Sequence, residues 1–93
     1  MVEVILSPEA SADLDDIFAY GLINHGDATA TAYLRGFNLA FKRLEDYPLS
    51  GQVDEETGFR RLHYSSHRIF YPVDDDVVLI VRIIHHSRDV NEI

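Results

Sequence analysis

The stretch DATATAYLRGFNLAFKRLEDYP, residues 27–48, decides the fold. Within it Ala30, Tyr33, Leu34, Phe37, Ala40, Phe41 and Leu44 recur at spacings of three, one, three, three, one and three, which is a single apolar stripe along a helix. Tyr47-Pro48 stops it, because proline disfavours helical geometry at the residue before it. Just upstream, Asn24-His25-Gly26-Asp27 is a break: Gly26 can take the left-handed conformation that ends one helix, and Asp27 is expected to cap the next. The earlier helix opens at Ser7-Pro8, a hydroxyl cap followed by a proline whose missing N–H costs nothing at the first helical position. Its own stripe is Ala10, Leu14, Ile17, Phe18 and Gly21. A link this short predicts an antiparallel helical hairpin. Asp13, Asp15 and Asp16 fall off the stripe and are assigned to a solvated face; three carboxylates within four helical residues do not converge on a cation. The aromatic series Tyr33, Phe37 and Phe41 is read as core.

The flanks of the hairpin read as strands. Residues 2–6 are a short β-branched apolar run. Residues 49–58, with two glycines and the run Asp54-Glu55-Glu56, read as an exposed connection. Three further runs follow, at 59–64, 67–73 and 77–86, separated by Ser65-Ser66 and Asp74-Asp75-Asp76, which predicts a three-stranded antiparallel meander. Pro72 cannot donate to a ladder, so a bulge or a strand end is expected there. In the last run Val77, Leu79, Val81 and Ile83 share a wholly apolar side, expected to cover the helices, with Arg82 pointing away from them. The expected fold class is α+β in the order β-α-α-β-β-β: a helical hairpin on one face of a four-stranded sheet whose other face is partly open.

At 93 residues the chain is expected to form one domain, 1–93, around one core. Apolar residues are 46% and charged residues 26%, which excludes a disordered or low-complexity chain. With no cysteine, disulfides and thiolate metal sites are impossible. The apolar run 77–84 is interrupted by Arg82 and is far shorter than the roughly 20 residues of a membrane helix. No basic leader precedes it, so a cytoplasmic setting is expected. The net charge of −8 argues against non-specific nucleic-acid binding. That imbalance belongs to residues 1–57, with eleven acids and three bases; residues 58–93 hold five of each. Residues 59–71 carry three arginines, two histidines and no acid, a locally basic stretch in an acidic chain.

In this order the motifs resemble the ParE toxins of the ParE/RelE toxin superfamily over nearly the whole length. The residues that carry the likeness are Leu6-Ser7-Pro8-Glu9-Ala10 with Asp13-Leu14-Asp15-Asp16-Ile17, then Tyr47-Pro48 with Gly51, then Gly58-Phe59-Arg60. Ser66-His67, Ile69-Phe70-Tyr71, and Val81-Arg82-Ile83-Ile84-His85 followed by Asp89 complete it. Arg68 stands where such toxins usually carry an aliphatic residue, and Pro72 where a basic one is common. The resemblance implies the RelE/ParE-like two-layer fold. It also implies a non-enzymatic toxin of a type II toxin–antitoxin pair, acting on DNA gyrase and neutralised by a ParD-like antitoxin whose C-terminal segment folds onto it, without cofactor, metal, membrane or specific nucleic acid. Arg60, Arg61, Arg68, Arg82, His86 and Arg88 are the candidate contacts for target or antitoxin, expected to gather on the open sheet face.

Two other readings stand beside it. A RelE-like ribosome-dependent mRNA endonuclease would need an acid, a base and cations for a phosphorane. His63, His67, His85 and His86, with the arginines, supply those types, although His67 can simply satisfy backbone groups and His85 is expected to be buried at its strand end. His86 shares the side of Arg82, which pairs these two as candidates. Adjacent His85-His86 point to opposite faces of a strand and do not chelate. Lys42 is the only lysine, so the lysine-rich surface that holds ribosomal RNA is missing. The third reading is an inactive remnant that only binds antitoxin, motivated by Arg68 and Pro72.

Overall fold

The computed structural model describes residues 1–74 and 76–89; Asp75 of the acidic turn and residues 90–93 lie outside the described residues. The elements run β1 (Glu3–Leu6), α1 (Pro8–His25), α2 (Asp27–Asp46), β2 (Gln52–Val53), β3 (Arg60–Tyr64), β4 (His67–Tyr71), β5 (Val77–Ile80) and β6 (Arg82–His85). Ser7 caps α1 as its sequence implies: the side chain accepts from the Ala10 N–H at 3.0 Å, with Pro8 at the first position. The hairpin link is one residue long. Gly26, at φ 85°, ends α1 and begins α2, and Asp27 is already helical, so it does not cap by its side chain. Only a glycine adopts that backbone without strain.

β1 pairs in parallel with β5, and the antiparallel ladder runs β2-β3-β4-β6. β4 ends at Tyr71, just before Pro72, as expected from the missing donor. The expected last strand is split at Val81. Its first half, β5, pairs with β1, and its second half, β6, pairs with β4; the Val81 N–H itself bonds Phe70 O at 2.9 Å. Ser7 fastens this break, its N–H donating to Ile80 O and its hydroxyl to Val81 O, both at 2.8 Å.

The break corrects the expected alternation. Val78, Ile80 and Ile83 enter the main core, whereas Leu79 is 36% exposed and Val81 packs on the other side of the sheet. Two successive residues, Val81 and Arg82, face outward, as in a β-bulge. Before the break the even-numbered residues are inside and after it the odd-numbered ones. An almost uniformly apolar run carries no sign of which parity is buried, which is why pattern alone misplaced it.

The main core joins Phe37 and Leu44 of α2 and Ala10 of α1 to Ile69, Tyr71, Val78, Ile80 and Ile83 of the sheet. Fully burying each large apolar side chain contributes about 1.5–3 kcal/mol. At Gly36 the sheet reaches into the helix: a Cβ there would lie 1.9 Å from the Tyr64 Oη, and that hydroxyl donates to Tyr33 O at 3.0 Å. The far sheet face is not open. Phe70 and Ile84 are fully buried there with Phe59 and Val81 beside them, and the Arg68 guanidinium lies 5.4 Å over the Phe70 ring.

The segment 49–58 is also more ordered than a solvated connection. Gly51 is buried and donates its N–H to the Tyr71 hydroxyl at 2.9 Å, and Asp54 is 4% exposed. Its carboxylate accepts from the Thr57 N–H at 3.0 Å and hydroxyl at 2.6 Å, and from Arg61. These bonds, the Thr57 hydroxyl first, hold the Asp54 carboxyl below the usual range despite burial.

Candidate functional site

The candidate arginines do not form one free cationic patch. Ladder register puts Arg61, Phe70 and Arg82 in one row on the far sheet face, and Arg68 opposite Ile84 on the same face. Arg60, opposite the core residue Tyr71, belongs to the helix side and donates to Gly51 O at 2.8 Å. Arg61 is bound by Asp54, and Arg68 donates to Arg88 O at 2.7 Å while covering Phe70. Arg68 therefore helps to close this face of the sheet.

Arg82 is the clearest correction. Its backbone position faces away from the helices, but its guanidinium reaches α1: Nε donates to Asp13 Oδ2 at 2.8 Å and Nη2 to Oδ1 at 3.1 Å. The Ile83 N–H adds a third bond to Asp13 at 2.9 Å. β6 is an edge strand, and Asp13 covers its unpaired donor. Asp13 is thus no part of a solvated face; its side chain is 14% exposed and that of Arg82 is 19%. Charge reversal at Arg82, which would leave the fold intact on a free surface, sets two carboxylates against each other here. His86 does not accompany Arg82. It bonds Ser66 O through Nδ1 at 3.0 Å and stacks on His85 with ring centroids 4.4 Å apart.

What the fold does bring together is a cleft of about 700 Å³ between the tip of the hairpin and the ends of β4 and β6. Ile17 and Phe18 of α1 and Leu34 and Phe37 of α2 form its apolar walls. Its polar end is made by Tyr33, His67 and His85, with Arg88 beyond. The Tyr33 hydroxyl and His67 Nδ1 are 2.7 Å apart, so His67 is held by a side chain and not by backbone groups. His67 and His85 meet edge to face at 5.2 Å. His85 is half-buried and lines the cleft, contrary to the expectation of full burial; its Nδ1 lies 2.8 Å from the Ser87 hydroxyl. Burial, reinforced by the neighbouring His85 and His86, pushes the His67 imidazole down to about 4, so it is neutral at physiological pH. Among the described residues no group of three potential ligands could hold a metal ion.

Sequence reading missed the Tyr33–His67 contact, for which no local signal exists, because the partners are 34 residues apart. It also missed Asp54, although Asp followed three positions later by Thr is a signature of a locally bonded turn.

Comparison with known proteins agrees with this architecture. The family model described as "ParE toxin of type II toxin-antitoxin system, parDE" matches residues 4–90. Similar proteins include Toxin ParE1 of Caulobacter vibrioides, 38% identical over 84 residues, covering 88% of this chain and 86% of that one. Toxin ParE1 of Mycobacterium tuberculosis is 33% identical over 90 residues, covering 94% and 92%. Among solved structures, a chain of the chromosomal ParDE TA system from P. aeruginosa shares the fold, with TM-score 0.79 and 22% identity over 91% of this chain and 96% of that one. A copper-bound mutant toxin from Helicobacter pylori does so with TM-score 0.62 and 23% identity over 94% and 97%. A helical hairpin laid on one side of an antiparallel sheet is the fold shared with these solved chains. The chain belongs to the ParE toxin family of type II toxin–antitoxin systems.

Proposed function

We propose that this ParE-like toxin acts on DNA gyrase without catalysing a reaction, and that a ParD-like antitoxin neutralises it by seating a segment in the cleft between hairpin and sheet. Family membership over residues 4–90 is the observation that carries the reading. The cleft supports the antitoxin part. Its walls are apolar and come from both helices near the hairpin tip, which suits an amphipathic segment that folds on docking. The state of the cations supports the non-enzymatic part. A phosphoryl-transfer site needs arginines aimed at the developing charge, whereas Arg61 is spent on Asp54 and Arg82 on Asp13.

The test is a supercoiling assay with purified gyrase beside an in vitro translation assay. Inhibition of supercoiling with translation intact is expected. Arrested translation with normal supercoiling would replace this reading with the endonuclease one.

A further inference from the structure

Asp13 and Asp54 are tied to arginines, whereas Asp16 is exposed, lines the cleft and enters no ion pair among the described residues. Tyr20 stands one turn further along the same side of α1, lines the cleft as well, and is 65% exposed. Its ring meets His25 edge to face at 6.3 Å and no other ring among the described residues, so most of it is uncovered. Ile23, three residues beyond, is 83% exposed. An acid, an aromatic face and an aliphatic side chain thus follow one another along α1 at helical spacing, beside the apolar walls of the cleft. None of these three side chains serves the core.

Charge names the occupant. Residues 1–57, which include α1, carry eleven acids against three bases, so the helical side of the cleft repels an acidic segment and attracts a basic one. Arg88 is the one arginine among the described lining residues, and it follows β6 on the sheet side. A cation over a tyrosine ring and beside a carboxylate is held twice, by the ring quadrupole and by the opposite charge. Lysine and arginine also carry a long apolar stem, which the cleft walls can cover while the charged head stays at the exposed rim.

We propose that the segment docked in this cleft lays a lysine or arginine along Tyr20 with its charged head beside Asp16, so that the partner is basic where it meets α1. The inference rests on the antitoxin reading above. An acidic segment would set like charge against Asp16, and a wholly apolar one would take that carboxylate out of water without a partner. A basic side chain meets both the carboxylate and the uncovered ring, and it fixes which side of the segment faces the helices.

The experiment is calorimetric titration of the full chain with the antitoxin of its own operon, at low and at high salt. Asp16→Lys should weaken Kd about tenfold and Tyr20→Ala about fivefold, with thermal melts unchanged because both side chains are exposed. Asp15→Lys, at an exposed acid outside the cleft lining, should cost less than Asp16→Lys. The parent's Kd should weaken with salt, and that of Asp16→Lys less steeply. Replacing the basic residues of the antitoxin segment by glutamate, one at a time, should restore Asp16→Lys binding at one position. Asp16→Lys or Tyr20→Ala binding as tightly as the parent, Asp15→Lys costing as much as Asp16→Lys, or no glutamate restoring affinity overturns the inference while leaving the antitoxin reading in place. Absence of a complex with the parent chain overturns that reading itself, and the inference with it.

Discussion

Replacing Asp13 with alanine removes three acceptor contacts at once: two from the Arg82 guanidinium and one from the Ile83 N–H. A hydrogen bond to a charged group is worth about 1.5–3 kcal/mol, and a donor left buried costs about 1–3 kcal/mol. These do not simply add. Both side chains keep some solvent contact, 14% for Asp13 and 19% for Arg82, so the guanidinium recovers part of its hydration. A net loss of about 2–4 kcal/mol follows, below the 3–5 of a fully buried broken pair. For a domain of this size each kcal/mol moves Tm by about 4–8 °C, so Asp13→Ala should melt about 8–32 °C below the parent. Asp13→Asn keeps an acceptor for the Ile83 N–H and loses the charge, and it should recover roughly half of the deficit. Circular dichroism melts of parent and both variants read this directly. Asp13→Ala melting within about 2 °C of the parent would refute the idea that this carboxylate closes the sheet edge.

Phe37→Ala should cost about 3–5 kcal/mol in denaturant unfolding, because the ring is fully buried and meets Tyr33 at 5.4 Å and Tyr64 at 4.6 Å. Gly36→Ala should cost about 1–3 kcal/mol by driving the Tyr64 ring from its notch, with a changed near-UV circular dichroism signal as the marker. The His67 pKa falls from 6.5 in the unfolded chain to about 4 in the fold, so the unfolded state takes up the proton first. The stability from the neutral imidazole is therefore complete above pH 6.5 and is lost as pH falls through the window to about 4. Denaturant midpoints across that window should decline, and His67→Gln should flatten the decline.

The hairpin and most of the strands were legible because each is written in a local pattern: the stripe from Ala30 to Leu44, the cap at Ser7-Pro8, the stops at Pro48 and Pro72; β2, inside the segment read as a connection, and the split at Val81 were not. Gly36 could have been noticed. A glycine in the middle of the strongest helical stripe signals a close approach, here that of Tyr64. The rest was hidden by distance. Asp13 and Arg82 are 69 residues apart, and nothing near either one shows that the edge of β6 needs a lid. Their pairing moved two residues out of the classes that their charge suggested, a solvated carboxylate and a docking arginine. The arginines likewise share a sheet face but are occupied one by one, which residue type and parity could not reveal.

Val81 has a consequence for how the chain could vary. Because Arg82 as well as Val81 turns outward, the final strand contains one residue more than strict alternation requires. A chain lacking it would keep Val78, Ile80 and Ile83 inside, yet would be shorter by about 3.3 Å. That shortfall would fall between the grip of Ser7, the cap of α1, and the grip of Asp13, six residues further along the same helix. The surplus residue is a spacer, and it sets the distance at which the first helix can clasp the last strand twice.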